Sequence, residues 1–107
     1  MAQSKTAAYV GFCFKSGKIT VGSGAVGALR YGVYLIMVDG KSAKNSLRYA
    51  LKYKNKFSCP LIVYKGDFEE LVKRPLARLA AIRDESLANA IINSGDPDCE
   101  LYTGGGE

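Results

Sequence analysis

The sequence predicts a single α/β domain, a three-layer α/β/α sandwich built around a four-stranded sheet. Three observations lead there. Segments with helical spacing alternate along the chain with short apolar segments. The run Val33-Tyr34-Leu35-Ile36-Met37-Val38 is continuously apolar, as a central strand buried on both faces has to be. The 107 residues, 48% of them hydrophobic, supply one core and not two.

The elements follow in order. Residues 5–14 read as a helix with Ala8, Val10, Phe12 and Phe14 available for burial, and Gly17 as the left-handed residue past its end. Residues 18–21 form a short strand. Ser23 is suited to cap a helix over residues 25–31, which Gly32 closes. The apolar strand 33–38 comes next and ends at Asp39-Gly40. Ser42 then caps a long helix to residue 56, with Ala43, Leu47, Ala50 and Leu51 on one face. Residues 59–64 are a strand with Pro60 near its start. Asp67 caps a short helix through Val72, residues 73–78 are a loop, and residues 79–82 are a strand. Asp84 caps a last helix to residue 93. Residues 96–107 show no periodicity and read as a flexible acidic tail on a domain of residues 1–95.

Composition removes several functions. Histidine is absent, which takes away Ser-His-Asp and Cys-His nucleophile pairs and the usual zinc and iron sites. Cys13, Cys59 and Cys99 are odd in number and widely spaced, which fits a reducing cytoplasm. Cys13 and Cys59 read as small core residues and Cys99 as an exposed tail thiol. Asp67, Glu69 and Glu70 crowd a helix start, where the helix dipole explains them better than a catalytic pair does. The expectation is a protein without catalysis, cofactor or metal. No apolar run is long enough to span a membrane. The N-terminal residues lack the pattern of an export signal.

Charge is uneven. All fifteen Lys and Arg lie in residues 1–93, which carry +9, whereas residues 94–107 carry −4. A basic body favours a polyanionic partner through counterion release. A soluble domain that is merely basic is the competing explanation.

Gly22, Gly24 and Gly27 form a G-x-G-x-x-G, with Asp39 at the end of the following apolar run. A dinucleotide site needs an apolar strand before this motif and a crossover helix of several turns after it. Here the strand is short and half polar, and only residues 27–31 are left for the helix. A small-nucleotide site is therefore the lesser reading. There is no G-K-[ST] phosphate loop either.

Other pieces form an ordered set. Phe12-Cys13-Phe14-Lys15-Ser16-Gly17-Lys18 closes the first helix, Gly22 precedes the second, and Arg30-Tyr31-Gly32 ends it. Leu35-Ile36-Met37-Val38-Asp39 is a strand ending in an acid, and Asn45 follows a turn of small residues. Cys59-Pro60-Leu61 starts a strand, and Leu79-Ala80-Ala81-Ile82 leads into Asp84-Glu85. In this order, over residues 8–93, they resemble the ribosomal superfamily named for the large-subunit proteins L-seven-Ae and L-thirty-e. The small bacterial YlxQ-like branch is the nearest in pattern.

The resemblance implies an L-thirty-e-like sandwich with a mixed four-stranded sheet. It also implies binding of kinked RNA helices, typically kink-turns, without catalysis. Structured RNA, with ribosomal RNA among the candidates, becomes the expected partner in a cytoplasmic ribonucleoprotein; DNA and membranes do not. Family members carry Asn-Glu after the helix-start glycine, and these side chains pair with guanine edges in sheared G·A pairs. The matching positions are Ser23 and Gly24, so the base-reading half of the motif is missing here. Backbone N–H groups at the helix start still favour a phosphate.

The resemblance extends to Lys73-Arg74-Pro75-Leu76-Ala77-Arg78, a loop that packs on an unpaired nucleotide in relatives. Arg74 and Arg78 are then phosphate ligands and Leu76 a contact to a flipped base. The competing account is a proline turn with solvated arginines. The expected RNA-binding residues are Lys15, Lys18, Gly22, Ser23, Gly24, Arg74, Leu76 and Arg78. Lys44, Arg48, Lys52 and Lys56 line one helical face beside Tyr49 and Tyr53. Like charges so spaced repel by about 0.2–0.5 kcal/mol per pair, and a solvated face explains them better than RNA does. A protein-interaction scaffold that kept the fold but lost guanine recognition is the first rival to RNA binding.

Overall fold

Helices and strands alternate as the sequence predicts, with one strand more. The computed structural model describes residues 5–41 and 44–102, with the side chains of Lys44 and Asn45 excepted. In chain order the elements are α1 (Lys5–Ser16), β1 (Ile19–Val21), α2 (Ser23–Gly27), β2 (Leu35–Asp39) and α3 (Lys44–Phe57). They continue as β3 (Leu61–Tyr64), α4 (Phe68–Val72), β4 (Leu79–Ile82), α5 (Glu85–Ile92) and β5 (Cys99–Leu101). The strands make one mixed sheet in the order β1-β4-β2-β3-β5. Only β2 and β3 are parallel, with Ile36 opposite Leu61; every other neighbouring pair is antiparallel.

Alternate positions of β2 enter the two clusters that make up the interior, one on each side of the strand, which is why its sequence shows no alternation. Leu35 and Met37 join Val10, Cys13, Ile82, Ala88 and Ile91. Ile36 and Val38 join Val26, Ala50, Tyr53, Leu61 and Ala81. Cys13 and Cys59 are buried as expected, and burial pushes both thiols up to about 11. The Asp67 and Asp84 carboxylates cap α4 and α5, accepting from the N–H of Glu70 at 3.1 Å and of Leu87 at 2.9 Å. No helix among the described residues is long and apolar enough to cross a membrane.

Several expectations are corrected. The sheet has five strands, because residues 99–101 pair with β3. The Lys65 N–H donates to the Asp98 carbonyl at 2.7 Å, and the Tyr102 N–H donates to the Leu61 carbonyl at 2.8 Å. Residues 96–102 are thus the covering of a sheet edge and not a free tail. Three residues are too few to show a strand period. Residues 103–107 lie outside the described residues. Cys99 is half-buried, its Sγ 3.0 Å from Thr6 Oγ1, and is not an exposed tail thiol.

In α1 the buried residues are Thr6, Val10 and Cys13, whereas Phe12 and Phe14 stay largely exposed. The set Ala8, Val10, Phe12, Phe14 has a period of two, which a helix spreads around its circumference. Ser23 does not cap α2. It is the first helical residue, after Gly22 at φ 102°, ψ 137°, and no side chain caps the helix. That backbone conformation is essentially reserved for glycine. The capping role of Ser42, and the place of Ala43, lie outside the described residues.

The helix α2 is also shorter than expected and leans on α3. The Tyr53 hydroxyl donates to the Ser23 carbonyl at 2.9 Å, and Lys56 Nζ donates to the Gly27 carbonyl at 3.0 Å. A Cβ on Gly27 would lie 2.7 Å from Tyr53 Oη. The glycine therefore serves close helix packing. Since β4 separates β1 from β2, the two strands form no adjacent βαβ unit, and the dinucleotide reading of the glycines fails on topology.

Gly27→Ala is expected to cost about 1–3 kcal/mol, because Tyr53 must give way. Gly24→Ala, with nothing within 4 Å of the new Cβ, should stabilise by about 0.5 kcal/mol. Urea unfolding of the two variants measures both. Equal midpoints would remove the close approach as the reason for Gly27.

Candidate nucleic-acid interface

The pairing of β1 with β4 decides which expected site residues meet. The Gly22 N–H donates to the Leu79 carbonyl at 2.8 Å. The β1–α2 junction therefore lies against the start of β4 and the loop preceding it. Between them is a groove of about 340 Å³ that takes in Gly22, Ser23, Leu76 and Arg78 from the expected set. Ser46 and Tyr49 of α3 form its other wall.

Both expected lysines are elsewhere. The Lys18 carbonyl accepts from the Arg83 N–H at 2.7 Å, at the opposite end of β1. Four residues of extended chain put Lys18 roughly 13 Å from Gly22. Lys15 sits in the last turn of α1, just before that same end. Gly24 is exposed and does not line the groove; neither does Arg74, an exposed residue in the turn after α4.

One carboxylate organises the loop. Glu69 Oε2 accepts from the Leu76 N–H at 2.9 Å and from Arg78 Nη1 at 3.1 Å. These two bonds, that from Arg78 foremost, hold the Glu69 carboxyl below the usual glutamate range. Leu76 is thereby kept at φ 66°, a left-handed conformation, with its side chain 79% exposed. A non-glycine residue so held carries strain, and such strain concentrates at ligand sites.

Arg78 is committed on its other side as well. Asp39 Oδ2 is 3.9 Å from Arg78 Nη1, across a second depression of about 520 Å³ that also holds Lys41 and Asp67. Its guanidinium is partly neutralised, so a phosphate must compete with two carboxylates for it.

Tyr49 and Ser46 were absent from the expected set. Tyr49 is 49% exposed and stacks on buried Tyr53, with ring centroids 6.3 Å apart and planes at 28°. Tyr53 also anchors Ser23, so one aromatic pair ties the exposed ring to the first turn of α2. Ser46, Tyr49 and Tyr53 are spaced three and four apart, a single helical stripe that the sequence does carry.

Neither a family model nor a curated protein matches the sequence. The fold does recur in a solved structure, that of a protein of unknown function from Bacillus halodurans. That likeness has a TM-score of 0.67 at 11% identity and covers 84% of this chain and 95% of the other. At that identity the likeness is one of fold alone.

Because the carboxyl of Glu69 is depressed, its contribution to the loop is present above the ordinary glutamate range. It is lost as pH falls through the folded value. In an acid titration the Leu76 amide resonance should leave its hydrogen-bonded position below that range. In Glu69→Ala it should already be displaced at neutral pH. An amide indifferent to both changes would mean that the loop holds itself.

Proposed function

We propose that this protein is a non-catalytic RNA-binding protein of the L-seven-Ae and L-thirty-e type, acting in the cytoplasm on structured, kink-turn-like RNA. The observation that carries the reading is the groove. It joins Gly22 and Ser23 to an exposed, conformationally strained Leu76 and faces them with an exposed tyrosine. The three-layer arrangement belongs to the same reading. Its support is the division of β2 between the two clusters.

An unpaired base fits between Leu76 and Tyr49. Stacking on such side chains tolerates every base. The Ser23 and Ser46 hydroxyls supply hydrogen bonds at the rim. Phosphate contacts fall to the backbone N–H groups of the first turn of α2, which no side chain caps. With only five residues, α2 contributes little dipole, so these contacts are local hydrogen bonds. The replacement of Asn-Glu by Ser23 and Gly24 weakens readout of sheared G·A pairs. Affinity then rests on shape, stacking and backbone.

One observation favours the scaffold reading instead. Arg78, the one arginine among the described residues that line the groove, is already paired with Glu69 and lies within 3.9 Å of Asp39, which lowers the groove's attraction for phosphate. A kink-turn titration followed by fluorescence anisotropy at two salt concentrations separates the two. RNA binding predicts a dissociation constant that rises steeply with salt. It also predicts about a five- to hundredfold loss in Tyr49→Ala, the range of one lost stack, and a smaller loss in Leu76→Ala, which removes only an apolar contact. No binding at about 10⁻⁴ M, a level that even non-specific partners reach, sinks the RNA reading.

A gain-of-function variant tests the family relation. Gly24 has open space for a side chain, and Ser23 is already a side-chain position. The double change Ser23→Asn, Gly24→Glu should make the protein prefer an RNA with G·A pairs over one with Watson–Crick replacements. Unchanged preference would count against an equivalent recognition turn.

A further inference from the structure

Cations line up at the end of the sheet opposite the groove. Lys18 and Arg83 extend the β1–β4 ladder by one rung beyond Ile19 and Ile82, joined by the Arg83 N–H to Lys18 carbonyl bond of 2.7 Å. Residues directly opposite in an antiparallel pair project to the same face. On the far side of β4, the Tyr34 N–H donates to the Ile82 carbonyl at 2.9 Å, and Tyr34 is 41% exposed. Lys15 is exposed in the last turn of α1. The connection that delivers Tyr34 carries exposed Arg30 and Tyr31.

Among the described residues, no carboxylate lies within ion-pair distance of Lys15, Lys18 or Arg83. Asp84, next to Arg83, is engaged in capping α5, and Glu85 sits exposed in the first turn of that helix. Arg83 Nη1 reaches only the Gly17 carbonyl, at 3.5 Å. Like charges directly across a strand pair repel, and a polyanion relieves the repulsion. Exposed tyrosines beside the cations make the surface fit a strand of stacked bases better than a bare anion.

We propose that this end of the sheet is a second nucleic-acid contact, one that takes single-stranded RNA. Phosphates lie on Lys18 and Arg83, and a base stacks on Tyr34. The inference goes beyond the groove and is separable from it. A strand leaving the groove along β1 would reach the patch after roughly 13 Å.

Anisotropy with a labelled oligouridine of about ten nucleotides, within the usual range of single-strand sites, provides the test. The expected result is salt-sensitive binding that Lys18→Gln weakens, with a salt slope shallower by roughly 0.7. Tyr34→Ala should weaken oligouridine at least about fivefold, the value of one stack, and leave an abasic strand of equal length unaffected. No binding at about 10⁻⁴ M overturns the proposal. So does equal competition by polyglutamate, which would mean a generic anion surface, or loss of oligouridine binding in Leu76→Ala with Lys18→Gln and Tyr34→Ala without effect, which would send the strand to the groove. Lys18 is exposed, so its variant decides the matter even should Tyr34→Ala not fold. Because the oligouridine lacks a kink, its failure and that of the kink-turn titration are read separately.

Discussion

The arrangement depends on burying β2 from both sides. Four of its five residues are inaccessible, and a strand so placed needs neighbours on both edges and cover on both faces. On one edge it pairs with β3 in parallel, which forces the chain to cross the sheet through α3 before returning. On the other edge β4 runs antiparallel and in turn carries β1. This pairing brings the β1–α2 junction and the loop before β4 to the same end of the sheet. The crossover lays Tyr49 and Tyr53 of α3 beside them. The groove is thus a consequence of how the central strand is satisfied, and its walls belong to three segments far apart in sequence.

Within the groove, geometry matters more than pair energy. The Arg78–Glu69 ion pair is more than two-fifths exposed at both partners, and such pairs contribute little net stability. What the carboxylate does instead is fix two donors of one loop in place, the Leu76 N–H and the Arg78 guanidinium. An apolar side chain then stands in solvent on a strained backbone. The same contact tempers the positive charge at the groove. The loop therefore presents an apolar surface first and a cation second, and the proposed RNA binding would draw more on stacking than on charge.

Features set by neighbouring residues were legible in the sequence, and those set by pairing across the sheet were not. Asp67 and Asp84 announce their helices because a cap acts within one turn. The buried strand and the two buried cysteines follow from apolarity alone. By contrast, Lys15, Lys18 and Gly22 are close in sequence, but a strand rises about 3.3 Å per residue and carries them to opposite ends of the sheet. Ser23 and Leu76 are far apart in sequence and meet only through the register Val21 to Ala80. The strand β5 has too few residues to show a period. The buried side of α1 follows a spacing of three and four, Thr6, Val10 and Cys13, which the alternating apolar residues of its sequence conceal.

The three glycines that look like one motif answer to three different demands. Gly22 is required by its backbone dihedral and Gly27 by the hydroxyl of Tyr53, so both serve the fold. Gly24 meets neither demand: its dihedral suits any residue, and the space around it is open. The lack of a side chain there is not imposed by folding. A helix start without base-reading groups is free to approach a backbone closely but offers nothing that distinguishes guanine from another base. In the proposed RNA reading, selectivity at such a turn has to come from Leu76 and Tyr49, which would distinguish an unpaired base from a paired one and not one base from another.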